Sequence, residues 1–493
     1  ETDAGSVDGP AFDRTLPNLL AKLSDHALHD SYLPPDEPRQ RLDIRGVVRF
    51  LHAALRPLGP VARRLLAIER LAAGVKSHRG VLVVWAELLE EAGDRAGAAA
   101  KARQALSLYY DDVYTQTLFV RCVGDVNFHA DAADRFCPHP FENFEIYKDG
   151  SVFPCNCTQV PFPIGNAHTQ SKEEIWQSPA AKAIRGSILD GSFRFCSPMT
   201  CWQRFSLPKK SEQPERWAAL QRIGVDGVQP PKHLNLSYDL SCNLSCPSCR
   251  NGQIMATHEE RQKLERVRDR IVLPLLADRT AESVYITGSG DAFGSPHFRS
   301  VLKELCDPKY AHVAITLGTN GQLITPRLWE EFQPLHARFQ DITISIDGAT
   351  PETYERLRRG STWDKLLRTM GVLAGARRSG VIRRIMVNMV VQEQNFLEMR
   401  GLIALCKGWA VDGIRFYRIR QWGNVAPGAF MASDVANPLH ARHAELMAEL
   451  GHPDFTDPIV DHYDMYALIL QAQATVRAAI AETSPHAEPA LTA

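Results

Sequence analysis

The chain has 493 residues, enough for about three domains of roughly 150 residues each. Hydrophobic residues make up 44% of it, which excludes global disorder, and a net charge of −1 gives no support for nucleic acid as a partner. No apolar run approaches the roughly 20 residues of a membrane-spanning helix, so we expect no membrane association. Residues 1–10 lack a basic region followed by an apolar one, so we expect a cytoplasmic protein with reduced cysteines.

The amino-terminal quarter divides into an arm and a helical region. Residues 1–40 are rich in Pro and Asp and lack periodicity, so we interpret them as a loosely ordered arm. From 41 to 128, small and apolar residues recur at helical spacing on both sides of a Gly93–Asp94 turn. This region resembles a tetratricopeptide (TPR) repeat in two degenerate copies 34 residues apart. An ordinary helical bundle is the equal alternative, while a TPR-like domain would offer a groove for a peptide or partner protein.

Residues 129–206 contain five cysteines around a predicted hairpin and helix. Alternating residues at 145–154 and the Asp149–Gly150 turn predict the hairpin, and a helix is expected near 178–189. Closely spaced reduced cysteines indicate a metal site, here an iron–sulfur cluster or zinc. The five are Cys137, Cys155, Cys157, Cys196 and Cys201. Residues 207–230 carry three prolines and several charges, and we interpret them as a linker.

Three cysteines, Cys242, Cys246 and Cys249, follow a short apolar run at 234–240 and are called the cysteine triplet below. Three thiolates hold three irons of a 4Fe–4S cluster and leave the fourth iron open to a small molecule. Zinc, the alternative, usually takes four protein ligands in paired spacings, and no second cysteine pair follows in the sequence. The spacing therefore favours a 4Fe–4S cluster with one open iron.

From 231 to 425, short apolar strands alternate with helices, a pattern typical of an α/β fold with a parallel sheet. Strands are expected at 233–239, 282–287, 312–317, 341–346, 382–391 and 412–419. Helices are expected at 256–275, 296–306, 326–333, 362–378 and 396–407. Six such units suit a partial (β/α)6 barrel of the TIM type, an eightfold barrel cut short, or a doubly wound sheet. Residues 426–493 are expected to form a C-terminal helical extension, with helices around 440–450 and 460–482.

The cysteine triplet at the end of a first strand, with the motifs behind the later strands, resembles the radical S-adenosylmethionine (SAM) superfamily. Those motifs are 287–291, 318–321 and 345–348. The resemblance implies that the open iron binds SAM, and that one electron cleaves SAM to a 5′-deoxyadenosyl radical, which abstracts hydrogen from a substrate carbon. It also implies SAM contacts from Gly288, Ser289, Gly290, Asp291, Asn320, Ser345, Asp347, Arg359 and Asn388. Asp291 stands where a Glu is more usual.

The cysteine-rich segment resembles the SPASM/twitch module of the same superfamily, which binds an auxiliary 4Fe–4S cluster. The module normally follows the radical SAM domain, and here it precedes it. The resemblance implies one auxiliary cluster, with Cys157 as a substitute ligand and zinc as the alternative occupant. The expected ligands, called the upstream cysteines below, are Cys137, Cys155, Cys196 and Cys201.

The expected activity is that of a radical SAM oxidoreductase acting on a peptide or carrier-bound substrate, with a reductant such as flavodoxin or ferredoxin. Arg415 and Tyr417 on the sixth strand are candidate substrate contacts, because arginines at a barrel mouth indicate an anionic substrate; exposed charges at a strand edge are the alternative. The competing functions are a dehydrogenase or epimerase of a sugar or other small metabolite, a radical methyltransferase, and a non-catalytic iron–sulfur scaffold. The sequence singles out no catalytic acid, base or hydrogen donor.

Overall fold

The structure is a computed structural model. It describes residues 44–74, 79–108, 113–123, 134–156, 159–160, 162–193, 195–196, 201, 203, 206–420, 427–438, 440–461 and 463–483. The predicted arm at 1–40 and Cys157 lie outside the described residues. The chain divides into two compact units. The first comprises Glu1–Leu234, Arg266–Thr280 and Arg420–Met431, and the second comprises Asn235–Glu265, Ala281–Ile419 and Ala432–Ala493.

Helices form the amino-terminal part of the first unit. Their bounds are Ile44–Leu55, Val61–Gly74, Arg79–Glu91, Arg95–Leu108 and Val113–Val123. The predicted turn separates the third from the fourth, where Gly93 takes a φ of +86° and the Asp94 carboxylate accepts a hydrogen bond from the Gly97 amide at 2.8 Å. Ala98 and Ala102 behind this turn are buried in the core that the helices share. The TPR assignment stays a prediction.

A three-stranded antiparallel sheet follows, made of β1 (Asn143–Tyr147), β2 (Ser151–Phe153) and β3 (Gly165–Asn166). β1 and β2 form the predicted hairpin, and Gly150 closes its turn with a φ of +78°. Helices Lys172–Trp176 and Pro179–Leu189 come next. The Ser178 hydroxyl caps the second of these by accepting a hydrogen bond from the Ala181 amide at 3.2 Å, as the sequence predicted for this start.

The predicted linker at 207–230 contains a packed helix, Pro214–Ile223. Leu220 and Ile223 are buried in the same hydrophobic core as Phe136 and Ile188 of the cysteine-rich segment. Pro214 had indicated a linker, but it lies in the first turn of the helix, where its missing N–H removes no hydrogen bond.

The next six strands neighbour one another in the same order as they occur along the chain. They are β4 (His233–Ser237), β5 (Ser283–Ile286), β6 (Ala314–Thr319), β7 (Phe339–Ser345), β8 (Arg384–Val391) and β9 (Gly413–Arg418). From β5 to β9, each strand pairs in parallel with the next, which confirms the predicted α/β fold. A doubly wound sheet requires a reversal of strand order, and these strands contain none, so that alternative is wrong. Closure into a partial barrel stays a prediction.

The connections between these strands are helical. Their bounds are His258–Val267, Arg268–Val272 (a π-helical turn), Leu273–Ala277, Pro296–Glu304, Pro326–Glu331, Pro351–Leu357, Trp363–Arg378 and Met399–Gly408. Three of them start with a Ser or Thr cap followed by Pro, at Ser295, Thr325 and Thr350. Each cap hydroxyl accepts the backbone N–H three residues ahead, and proline fits the first helical position. Pro351–Leu357 was not predicted, because its apolar pattern is too short.

The C-terminal extension contains helices Pro427–Ser433, His443–Leu450 and Tyr466–Thr483. Before the last helix, the chain runs beside β9, because the Ile414 amide donates to the Ile459 carbonyl and the Asp461 amide donates to the Ile414 carbonyl, both at 2.8 Å. The predicted helix at 460–482 therefore begins only at Tyr466. Within the ranges given above, no helix is long and apolar enough to cross a membrane.

Arg185 is a fully buried arginine that ties the cysteine-rich segment together. Its guanidinium donates to the carbonyl oxygens of Pro140 at 3.0 Å, Trp176 at 2.8 Å and Val225 at 3.1 Å. Burial lowers the pKa of Arg185 to about 10, so the side chain keeps its charge at neutral pH. Three separate segments therefore depend on one fork-shaped donor.

We expect Arg185→Leu to lower the free energy of unfolding of the cluster-free protein by about 3 kcal/mol, since three buried carbonyls lose a donor at roughly 1 kcal/mol each. Chemical denaturation measures this loss. Lys182→Ala, which removes an exposed ion pair with Asp226 from the same helix, is the control and should leave the unfolding curve unchanged. Equal curves for both variants would contradict the assigned role.

Candidate iron–sulfur and cofactor site

The cysteine triplet lies in one folded loop behind β4. Cys242 and Cys246 are buried, Cys249 is half-buried, and all three belong to one packed group around Leu244. The Cys242 amide donates to the Ile254 carbonyl at 2.9 Å, and the Cys249 amide donates to the Cys246 carbonyl at the same distance. Backbone bonds therefore bring the three predicted cluster ligands together.

The thiols of Cys242 and Cys246 are hard to ionise without a counter-charge. Burial raises the pKa of Cys242 to about 11, and the carboxylate of Asp291 adds to the increase. Burial also raises the pKa of Cys246, while the guanidinium of Arg358 acts in the opposite direction. Iron binding requires thiolates, so cluster assembly at neutral pH releases protons from both cysteines.

Two glycines after β5 allow a close approach to the end of β4. A Cβ on Gly288 would lie 2.1 Å from the Ser237 hydroxyl oxygen, and a Cβ on Gly290 would lie 2.5 Å from the Asp239 carbonyl oxygen. Ser289 between them is half-buried. A side chain at either glycine would push this loop away from the cysteine loop.

Asp291 joins the loops after β5 and β6. Its Oδ1 accepts hydrogen bonds from the amides of Phe293 at 3.0 Å and Gly294 at 2.7 Å. Its Oδ2 accepts from the Thr319 hydroxyl at 2.9 Å and the Asn320 amide at 2.7 Å. Four hydrogen bonds occupy both lone pairs of each oxygen, so this buried carboxylate positions the two loops. The predicted contact of Asp291 with the amino group of SAM stays a prediction.

Asn320 directly follows β6, Ser345 ends β7, and Asn388 lies within β8. Ser345 and Asn388 are register partners, and in-register residues of parallel strands share one face of the sheet. The Nδ2 of Asn320 lies 3.7 Å from the Cys242 Sγ. The Oδ1 of Asn388 is buried without a hydrogen-bond partner among the described residues. The structure thus places Asn320 beside the cysteine loop and Ser345 beside Asn388.

Of the adjacent pair Arg358 and Arg359, it is Arg358 that acts on Cys246 of the cysteine triplet, whereas the predicted SAM contact was Arg359. The Nη1 of Arg358 donates to the Asp347 Oδ2 at 2.7 Å, and its Nε is buried without a partner among the described residues. Burial lowers the pKa of Arg358, but the Cys246 thiolate and Asp347 carboxylate outweigh burial and raise it above the ordinary value. Arg359 is exposed, and only its carbonyl reaches the cysteine loop, by accepting from the Ser245 amide at 3.0 Å. Sequence could not separate adjacent arginines, because only the turn geometry decides which one points inward.

Asp347 is buried and already has two partners. Besides Arg358, its carboxylate accepts a hydrogen bond from the Val390 amide at 2.9 Å. Its backbone carbonyl accepts from the Asn395 amide nitrogen at 3.0 Å. Asp347 therefore joins the ends of β7 and β8 and holds Arg358. Its predicted contact with SAM stays a prediction.

Two buried polar atoms without a hydrogen-bond partner test whether the site fits SAM. Among the described residues, the Nε–H of Arg358 lacks an acceptor and the Oδ1 of Asn388 lacks a donor. Leaving such groups unpaired is costly, so they are expected to meet a polar ligand. SAM carries a carboxylate, an amino group and ribose hydroxyls, which supply both kinds of partner. The residues present therefore fit the cofactor.

Arg415 and Tyr417 contact the C-terminal extension. The Arg415 Nε donates to the Asp461 Oδ2 at 2.6 Å, and the ring centroids of Tyr417 and Tyr463 lie 4.5 Å apart. Burial raises the pKa of Tyr417 to about 12, so its phenol stays protonated at neutral pH. The Arg415 charge is compensated within the chain, and its role as a substrate contact stays a prediction.

The upstream cysteines form a second group. Burial is the main cause of the raised pKa values of Cys137, Cys155 and Cys196, and the neighbouring Cys201 thiol adds to all three. The pKa of Cys137 rises to about 12. The four thiols therefore share one neighbourhood, in which Cys137 is buried and the other three are half-buried, and each is free of a disulfide. Cys157, the predicted substitute, lies outside the described residues.

The remaining described cysteines are separate from these groups. Cys122 and Cys406 are buried, Cys306 is half-buried, and burial raises the pKa of all three thiols. Within the part of the chain that the structure describes, no three His, Cys, Asp or Glu side chains are grouped to hold a single metal ion.

Two family models match the chain. An iron–sulfur cluster-binding domain (SPASM) matches residues 137–202, and the Radical SAM superfamily matches residues 240–405. Their order confirms that the SPASM module precedes the radical SAM domain. These domains imply SAM and a 4Fe–4S cluster as cofactors, together with auxiliary iron–sulfur. The twitch subgroup stays a prediction.

Curated relatives match parts of the chain. Mycofactocin maturase MftC of Mycobacterium tuberculosis (strain ATCC 25618 / H37Rv) is 26% identical over 40% of this chain and 47% of its own length. AdoMet-dependent heme synthase of Methanosarcina barkeri (strain Fusaro / DSM 804) is 27% identical over 26% of this chain and 34% of its own length. The chain spans 47% to 54% of the length of the mycofactocin maturases that it matches.

Solved structures also match, at low overlap. Streptococcus suis SuiB bound to its precursor peptide SuiA is 16% identical and covers 50% of this chain and 54% of that chain, with a TM-score of 0.30. At that TM-score the likeness supports no structural argument.

We expect Arg358→Ala to weaken SAM binding to the iron-loaded protein by roughly 10- to 100-fold, because a charge-assisted hydrogen bond contributes about 1.5–3 kcal/mol. Equilibrium dialysis with labelled SAM measures the Kd. Arg359→Ala is the matched control, since that side chain is exposed, and its Kd should stay at the wild-type value. Loss of SAM binding in Arg359→Ala alone would reverse the assignment.

Arg358 also neutralises Asp347, so the fold of each variant is checked separately. Thermal melting of the cluster-free proteins should show a lower Tm for Arg358→Ala than for Arg359→Ala, since the buried Asp347 loses its counter-charge. Arg358→Lys keeps the charge and should recover the Tm better than it recovers the SAM Kd, because an ammonium lacks the forked geometry.

Proposed function

We propose that this chain is a radical SAM enzyme that modifies a peptide substrate. The observation that carries the proposal is the guanidinium of Arg358, which acts on Cys246 of the cysteine triplet and keeps its Nε without a partner among the described residues, within a segment that matches the Radical SAM superfamily. The relatives named as mycofactocin maturases support maturation of a larger molecule over conversion of a small metabolite. An electron would come from a flavodoxin or ferredoxin.

The chain's own residues bind and orient the cofactor. When bound, the 4Fe–4S cluster and SAM supply a 5′-deoxyadenosyl radical for hydrogen abstraction. Cys242, Cys246 and Cys249 would hold three irons, Arg358 would receive the SAM carboxylate, and the Asn388 oxygen would accept a hydrogen bond from SAM. Gly288 and Gly290 keep their loop close to the end of β4, from which the cysteine loop begins.

The upstream cysteines hold an auxiliary cluster in this proposal. Their common neighbourhood supports a common occupant, because burial raises the pKa of Cys137, Cys155 and Cys196 and a bound metal centre would compensate the ionisation of these thiols. The match of residues 137–202 to an iron–sulfur cluster-binding domain favours iron–sulfur over zinc. The auxiliary cluster would accept an electron from a product radical or bind substrate.

Arg415 and Tyr417 are proposed substrate contacts of the peptide. Asp461 is 40% exposed while Arg415 is 21% exposed, so a substrate carboxylate can replace the aspartate as partner without uncovering a buried acid. The tilted ring pair of Tyr417 and Tyr463 offers aromatic surface beside this ion pair. A peptide with an acidic and an apolar side chain would suit both features.

Anaerobic reconstitution tests the two cluster sites. We expect about eight irons in the wild type and about four in a Cys242→Ala/Cys246→Ala/Cys249→Ala variant, from roughly four irons per cluster. Iron and sulfide analysis measures the content. About four irons in the wild type and none in the variant would remove the auxiliary cluster from the proposal.

Product analysis tests the reaction class. The reduced wild type should convert SAM to 5′-deoxyadenosine, and the triple variant should not. Formation of S-adenosylhomocysteine would instead indicate methyl transfer, and absence of SAM cleavage by the loaded wild type would indicate a scaffold. Short peptides encoded beside the gene should stimulate 5′-deoxyadenosine formation more than a porphyrin does, a comparison that the relative named as a haem synthase motivates.

A further inference from the structure

Arg250 follows the cysteine triplet directly and is buried, with 4% of its surface exposed. Its Nε and Nη2 donate to the Cys249 Sγ at 3.4 and 3.3 Å. Its Nη1 donates to the Leu240 carbonyl at 2.7 Å, and its Nη2 donates to the Ser289 carbonyl at 2.5 Å. One guanidinium therefore joins the end of β4, the cysteine loop and the glycine loop after β5.

Among the described residues, no carboxylate accepts a hydrogen bond from the Arg250 guanidinium. Burial lowers the pKa of Arg250, but the thiolates of Cys249, Cys242 and Cys246 outweigh burial and raise it. Arg338 makes an informative contrast. It donates to two backbone carbonyls in the same way, yet burial leaves its pKa lowered.

We propose that Arg250 raises the reduction potential of the 4Fe–4S cluster held by the cysteine triplet and positions its Cys249 ligand. The inference rests on the proposed function, which places a cluster on these cysteines. It adds a residue outside the cluster ligands and the SAM contacts.

The physical reason is charge. One-electron reduction adds a negative charge to the cluster, and a fixed cation in a buried site stabilises that charge more strongly than it would in water. Hydrogen bonds to a ligating sulfur act in the same direction, since they are among the features that set iron–sulfur potentials. Arginine keeps its proton at any working pH, so the cation is constant.

The two carbonyl contacts explain why the cation stays in place. Leu240 and Ser289 accept through backbone oxygens, which do not depend on the oxidation state of the cluster. The planar fork of arginine reaches both carbonyls and the sulfur at once, whereas the single ammonium of lysine cannot. The residue type is therefore matched to this position.

Redox titration followed by electron paramagnetic resonance tests the inference in the iron-loaded full chain without SAM. The triple cysteine variant supplies the signal of the auxiliary cluster for subtraction. We expect Arg250→Gln to reduce the equilibrium constant for cluster reduction at least about tenfold, a shift of about 59 mV to more negative potential for one electron. Arg250→Lys keeps the charge without the fork and should shift less. Arg338→Gln, at a half-buried arginine that also donates to two backbone carbonyls, should leave the potential unchanged.

The iron content distinguishes failure of the proposed function from failure of the inference on Arg250. If wild-type protein binds no iron that the triple variant lacks, the proposed function fails. If Arg250→Gln retains the wild-type iron content and its midpoint potential is unchanged or more positive, the inference on Arg250 is overturned. Should Arg250→Gln lose part of its iron, the midpoint is measured on the protein that retains the cluster, and a value equal to or more positive than that of the wild type would overturn the inference. A purely structural Arg250 would change iron content or Tm and leave the potential as it was.

Discussion

The site depends on the parallel direction of neighbouring strands. Since β5 to β9 run the same way, their carboxyl ends meet at one edge of the sheet, and each following loop is delivered there. Asn320 follows β6, Ser345 ends β7 and Asn388 lies within β8, and strand register places Ser345 beside Asn388. The cysteine loop reaches this edge from β4, which the strand order places next to β5.

Buried aspartates at the strand ends fix the loops at this edge of the sheet by accepting hydrogen bonds from the main chain of the neighbouring strand or loop. Asp291 after β5 accepts the Asn320 amide after β6, and Asp347 after β7 accepts the Val390 amide of β8. In both cases, a carboxylate behind one strand is bonded to the main chain at the end of the next. An unpaired carboxylate in such a site would be costly, so these bonds also stabilise the fold. The acids that family resemblance assigns to SAM thus have structural partners of their own.

Two arginines, Arg358 and Arg250, place positive charge near the cysteine triplet, and they differ in the groups that hold them. Arg358 is neutralised by Asp347 and keeps one N–H unpaired, which suits a ligand. Arg250 is held by carbonyl oxygens and a sulfur, which suits a charge that acts on the cluster. The upstream cysteines lie in a more apolar setting, where Cys137 packs in a core with Phe136 and Phe141. The two cysteine groups therefore have different surroundings.

Local patterns in the sequence were sufficient for the cysteine triplet, the hairpin of β1 and β2, and all six parallel strands to within two residues. These features depend on spacing, turn chemistry and apolar runs, which neighbours along the chain specify. Tertiary structure alone decided the inward turn of Arg358 over Arg359, the four hydrogen bonds of Asp291 and the packing of helix Pro214–Ile223. Those outcomes depend on partners brought together from distant parts of the chain, as when Asp291 meets Thr319 or Leu220 meets Phe136, and no local pattern encodes such a meeting.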